Sequence, residues 1–187
     1  MFKYYIGIIS LLLLLACQKQ STLSSPNTIS QNQPPIHNIP LITNIAVEKH
    51  NSLRQKHFSN SNLTYSLKLE ATAQKYANIL ASQGTFLHDC NNLANKYGEN
   101  LYRSSGTSKP DYNNIIQKWY DEQKYYDHDS NECEQGRVCG HHTQVVWKNS
   151  RELGCASAKY TTGSFTNGYV TVCKYYPYGN IVGHKPY

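Results

Sequence analysis

The chain has 187 residues, of which 39% are apolar and 16% charged, with a formal net charge of +6. That length suits one folded domain with its own core, and the composition excludes a disordered polyelectrolyte. The 18 Lys and Arg are scattered without a run of five or more, which excludes a nucleic-acid footprint; the diffuse charge could favour an anionic membrane or wall polymer, and solubility is the preferred reading.

Met1-Phe2-Lys3 carries one positive charge and is followed by an apolar run from Ile6 to Ala16. Eleven residues suit the h-region of an export signal and are too short for a stable membrane span. Leu14-Leu15-Ala16-Cys17 resembles the bacterial lipobox, whose cysteine becomes the lipidated first residue of the mature chain. The alternative is an ordinary signal peptide cut a few residues later. Residues 1–17 are assigned as a signal peptide with Cys17 as its lipidation site, where acyl chains would hold the protein at a membrane. Export, either lipid-anchored to the cell envelope or into the extracellular region, places Cys90, Cys133, Cys139, Cys155 and Cys173 in an oxidising compartment. Pairing is expected there, and five cysteines leave one over. Residues 18–41 are rich in Ser, Thr, Asn, Gln and Pro and read as a flexible tether that buries too little surface to repay its ordering entropy.

From Leu41 the pattern turns helical, with Ile42, Ile45, Ala46, Lys49 and Leu53 on one side and His50 and Arg54 nearby at i, i+4. A second helix is predicted from Leu67 to Gln83, with Ala73, Tyr76, Ala77 and Leu80 as its stripe and Gly84 as terminator. A third starts near Asp111 after Pro110 and turns Ile115, Ile116, Trp119 and Tyr120 inward, with Tyr126 near its end. A short fourth covers Thr143 to Lys148. Strands are predicted at 99–102, 155–160 and 169–176, the last two separated by a Thr-, Ser-, Gly- and Asn-rich turn, and the last placing Tyr169, Thr171, Cys173 and Tyr175 on one face. The 16 Tyr, against 4 Phe, suit half-buried sheet faces where a hydroxyl finds a partner. The order implies an α+β fold, a three-layer α–β–α sandwich around an antiparallel sheet, occupying residues 42–187.

Four segments stand out: His50-Asn51-Ser52-Leu53-Arg54, Gly98-Glu99-Asn100-Leu101, Gly140 through Trp147 followed by Gly154-Cys155-Ala156, and Cys173 through Asn180. In this order they resemble the CAP superfamily (cysteine-rich secretory proteins, antigen 5, pathogenesis-related 1; the SCP domain), with its HNxxR, GENL, GHYTQVVW with GCA, and CxYxPxGN patterns. The resemblance covers about residues 43–187. It implies a cleft with a His/Glu/Glu/His tetrad, carried here by His88, Glu99, Glu122 (in Trp119-Tyr120-Asp121-Glu122) and His141. Where the family has Tyr, this chain has His142, which faces away from His141 if both are helical. Two imidazoles and two carboxylates suit zinc or another divalent ion, and a carboxylate left off the metal, Glu99 or Glu122, is the candidate base toward a bound water. A buried hydrogen-bond network pinning loops to the sheet is the competing reading.

The resemblance further implies that Asn51 ties backbone, that Arg54 pairs with a carboxylate, and that Cys133 bonds Cys139 and Cys155 bonds Cys173. Cys90 is then left as a free thiol or an intermolecular partner. His37, His57, His128 and His184 are read as surface imidazoles. The functions in view are an exported domain holding a sterol, lipid or divalent metal in a defence or host-interaction role, and a metal-dependent hydrolase or peptidase using the same cleft. The tail from Pro177 to Tyr187 resembles the end from which plant members release a signalling peptide, or is a strand end packed on the sheet.

Overall fold

A computed structural model describes residues 41–187, with side chains from Ile45 onward; the signal peptide, Cys17, His37 and the tether up to residue 40 lie outside the described residues. Helix α1 (Leu41–Arg54) buries Ala46, His50, Leu53 and Arg54, which recur at i, i+4, i+7 and i+8 on one face. After β1 (Thr64–Tyr65), helix α2 (Leu67–Gln83) buries Leu69, Ala73, Tyr76, Ala77, Leu80 and Ala81. It stops at Gly84, whose φ of 65° is left-handed and whose N–H returns to the Leu80 carbonyl. The short α3 (Asn92–Asn95) and strand β2 (Gly98–Ser104) follow.

Helix α4 (Tyr112–Tyr120) is capped by Asp111, whose side chain accepts from the Asn113 N–H. It runs into a 3-10 turn (Asp121–Tyr125), so Tyr126 opens a small hairpin of β3 (Tyr126–Asp127) and β4 (Glu132–Cys133) instead of ending a helix. Helix α5 (Gly140–Val145) begins at Gly140, ahead of the predicted Thr143, and takes both His141 and His142 into its first turn. Strands β5 (Glu152–Lys159) and β6 (Tyr169–Tyr176) complete the chain's regular structure.

The main sheet has the order β1-β5-β6-β2. Strands β2 and β5 pair antiparallel with β6, whereas β1 runs parallel to β5 with Thr64 opposite Glu152. The sheet is therefore mixed, not wholly antiparallel as expected, because α1 delivers a two-residue edge strand too short to carry an alternating pattern. Helix α2 covers one face, packing Tyr76, Ala77 and Leu80 with Leu101, Ala156, Val170 and Val172. Helices α1, α4 and α5 cover the other, with Leu53, Ile116, Trp119 and Val145 against Cys155, Cys173 and Tyr175. The three layers match the predicted sandwich.

Helix α2 approaches the sheet closely at Gly154, where an added Cβ would fall 2.1 Å from the Glu70 backbone nitrogen. Gly154→Ala is expected to lower unfolding free energy by about 1–3 kcal/mol through overpacking against backbone. Urea denaturation checks this; an unchanged midpoint would mean that α2 does not rest on this position.

Candidate functional site

Strand β2 begins at the edge of the sheet and places Glu99 almost wholly out of solvent, its side chain 1% exposed. Glu99 Oε1 accepts from His88 Nδ1 at 2.6 Å and from the Asp89 N–H at 3.1 Å. Its Oε2 lies 2.7 Å from Lys174 Nζ, an ion pair whose angles are not those of a hydrogen bond. His88 itself is 64% exposed, so the carboxylate stands behind an imidazole that faces water.

A second pair is built by the 3-10 turn and α5. Glu122 Oε1 accepts from His141 Nδ1 at 2.6 Å, while Oε2 accepts the backbone N–H groups of His141 (3.0 Å) and His142 (3.3 Å) at the start of α5. A carboxylate there satisfies donors that a helix cannot satisfy itself. The His141 ring lies nearly parallel to Trp119, with centroids 6.1 Å apart. Neither His88 nor His141 has a hydrogen-bond partner on Nε2 among the described residues.

The four predicted residues thus form two His–Glu pairs. Among the described residues no group of three or more His, Cys, Asp and Glu side chains stands close enough to hold an ion. A buried relay links the motifs around them. The His50 Nδ1–H donates to the Ala46 carbonyl (2.7 Å), which makes Nε2 the acceptor of the Tyr175 hydroxyl (2.8 Å). Asn100 Nδ2 donates to that hydroxyl (3.3 Å) and to the His141 carbonyl (3.0 Å). Asn51 ties the backbone as expected, exchanging both amide bonds with Leu63. Gln144 accepts from the Gly179 N–H and Thr143 donates to Asn180, which fixes the last motif on α5.

Several expectations change. Among the described residues Arg54 pairs with no carboxylate: its guanidinium donates to the carbonyls of Ser61, Val145, Trp147 and Ser150. A ring of carbonyls offers more acceptors in plane than one carboxylate does. His57 and His128 are half-buried instead of superficial, because the Tyr187 ring packs on both, with centroids 4.2 and 4.6 Å away. His142 does point away from His141; it is fully buried against Tyr120, Tyr126 and His57. Cys133–Cys139 and Cys155–Cys173 are bonded as the resemblance implies, whereas Cys90 is also disulfide-bonded and is not a free thiol.

Sequence reasoning missed Lys174. It is fully buried, pairs with Asp89 (3.0 Å) as well as Glu99, donates to Asn92 Oδ1, and lies over the Tyr76 ring at 5.0 Å. Burial alone would raise the Asp89 carboxyl, but the Asn91 N–H and Lys174 override it and hold it below the usual range. The signal was a lysine inside the largely apolar run of β6.

A hollow of about 550 Å³ is lined by Val138, Trp147, Ile181 and Val182 among others and by none of the four tetrad residues.

A model of the cysteine-rich secretory protein family (CAP) matches residues 47–175. Pathogenesis-related protein 1B of Nicotiana tabacum is 45% identical over 125 residues, spanning 67% of this chain and 69% of its own. A PR-1 type pathogenesis-related protein of Sambucus nigra is 32% identical over 160 residues, 86% of this chain and 85% of its own. Among solved structures, NaASP2 with Zn2+ is similar at 25% identity and a TM-score of 0.60, covering 82% of this chain and 88% of its own. Na-ASP-1 is similar in fold at 20% identity and a TM-score of 0.64; 88% of this chain spans 46% of that longer one.

Proposed function

The chain belongs to the cysteine-rich secretory protein family, and from that membership we propose that it is an exported, non-enzymatic binding domain in a defence or host-interaction role, taking a divalent ion on His88 and His141. One observation carries this reading: each imidazole has its Nδ1 fixed at 2.6 Å by a carboxylate, which leaves Nε2 as the free donor. Metal-binding histidines use their second nitrogen in this way, and neutral imidazole suits zinc. Zn2+ in the NaASP2 structure points to the same ion. Glu99 and Glu122 serve as outer partners that orient the rings. Glu99 is ion-paired to Lys174 and accepts from the Asp89 N–H, and Glu122 accepts from the His141 N–H, so both carboxylates are engaged by the protein, which favours binding over hydrolysis.

Calorimetric titration with zinc tests the proposal. His88→Ala and His141→Ala are each expected to weaken zinc binding at least about tenfold, the scale of losing a ligand or its support. Absence of zinc uptake by the native protein, with no anomalous signal at the zinc edge, would remove it. The apolar rim of the hollow, where Val138 is 59% and Val182 96% exposed, favours a small lipid or sterol as a second ligand. Labelled sterols and fatty acids that show no saturable uptake would exclude that ligand. Anchoring through Cys17 is expected to give fatty-acid labelling that Cys17→Ser abolishes.

A further inference from the structure

Residues 181–187 form one wall of the hollow, through Ile181, Val182, His184 and Pro186 among others. Gly179 and Asn180 ahead of them are tied to α5, whereas residues 181–185 are all exposed. This strap is held at its end, where Pro186 is buried and its carbonyl accepts from the Lys148 N–H at 2.7 Å. The Tyr187 ring packs on two imidazoles, with centroids 4.2 Å from His57 and 4.6 Å from His128. His128 Nε2 also donates to the Tyr187 main-chain oxygen at 2.8 Å. We propose that His57, His128 and Tyr187 form an acid-released latch: as the pH falls the strap lifts and the hollow loses one wall.

His57 is the trigger. Its Nε2 shares a hydrogen bond with the Tyr120 hydroxyl at 2.9 Å, and its ring also meets His142. The groups around it are Tyr120 from α4, His142 from α5, His128 from the hairpin, Tyr187 from the strap and Lys56 beside it. The carboxylates Asp121, Asp127 and Asp129 act on Tyr120, Tyr126 and His128, and none of them is bonded to His57. Burial first, then His128 and Lys56, hold the His57 imidazole below its usual 6.5. Once the strap lifts, His57 meets water and regains its ordinary basicity. The open form therefore binds more protons than the closed one, and acid favours it. The latch stands apart from the zinc reading. Under the lipid reading the same motion would release a ligand in acid, but the latch itself needs none.

Amide hydrogen exchange on the full chain, expressed as protection factors from pH 7.5 to pH 5, reads the latch at the Lys148 N–H, whose bond to Pro186 breaks when the strap lifts. Relative to the amides of β5 and β6, Lys148 is expected to lose protection by up to about tenfold per pH unit, the limit for one coupled proton. Tyr187→Ala is expected to remove that protection already at pH 7.5. His57→Phe keeps the ring packing without a titrating nitrogen and is expected to hold Lys148 protected at pH 5. His57→Gln, which keeps a polar partner for Tyr120, serves the same comparison if the Phe variant does not fold. Constant protection of Lys148 in the native protein overturns the inference, because the strap then does not lift. A loss that β5 and β6 share in equal measure also overturns it, because the whole fold is then opening. So does a folded His57 variant that loses protection as the native protein does, or a Tyr187→Ala variant that keeps it.

Discussion

Arg54→Met is expected to destabilise the fold by about 3–5 kcal/mol, the scale of breaking a buried charged network from one side. The guanidinium is fully buried at the end of α1. Nε donates to the Ser61 carbonyl at 2.8 Å, Nη1 to Val145 (3.1 Å) and Trp147 (2.8 Å), and Nη2 to Ser61 Oγ (2.9 Å) and Ser150 (3.1 Å). Val145 ends α5 and Trp147 follows it, so Arg54 satisfies carbonyls the helix leaves open and places a cation where the helix dipole is negative. Burial foremost, with Arg151 adding and Tyr175 opposing, lowers its pKa to about 10, so it stays charged at neutral pH.

Methionine fills the volume but takes the donor from the carbonyls of Ser61, Val145, Trp147 and Ser150. Arg54→Lys offers three rotating donors in place of a planar fork and is expected to recover only part of the loss. Urea denaturation checks both; a loss under about 1 kcal/mol for Arg54→Met would show that water replaces the guanidinium.

The layers of the sandwich were legible because long helices repeat their apolar residues: Ala73, Tyr76, Ala77 and Leu80 appear as a stripe in sequence and as a buried face in space. Strand β6 was legible for the same reason at a period of two. What escaped was short or non-periodic. Thr64–Tyr65 is too brief to show alternation, and the β3–β4 hairpin is built from polar residues. The tetrad residues were found through motif resemblance, since nothing in periodicity sets His88 against Glu99 eleven positions on. Lys174 shows the converse: β6 alternation places it on the face away from Tyr175, but its partners come from α3, the loop before it and Glu99 of β2, which no local pattern addresses. Arg54 was placed correctly on its face, and its acceptors were misjudged because backbone carbonyls leave no mark in sequence.

Acid is expected to remove about 4 kcal/mol of stability between pH 7.5 and pH 5, through His50 and His142. Burial, against the pull of the Ala46 carbonyl and with Arg54 adding to it, lowers His50 from 6.5 to about 3. Burial first, then the charge of His57, lowers His142 to about 4, against a weaker pull from the Tyr120 backbone that falls short of a hydrogen bond. Both rings are neutral in the folded protein, whereas in the unfolded chain they take up protons near pH 6.5. The unfolded state therefore binds more protons throughout the window, and unfolding free energy falls with pH by up to about 1.4 kcal/mol per unit for each ring. Asp89, held below its ordinary carboxyl value of 3.8, adds a loss of the same sign only at lower pH. His142→Phe isolates one half of the effect. It removes a titrating ring whose two nitrogens have no hydrogen-bond partner, so it is expected to gain about 1 kcal/mol at pH 7.5 and to halve the slope below it. Urea titrations of both proteins across this range measure the slopes directly. A native stability that is flat from pH 7.5 to pH 5 would mean that these rings are charged, or hydrated, inside the fold.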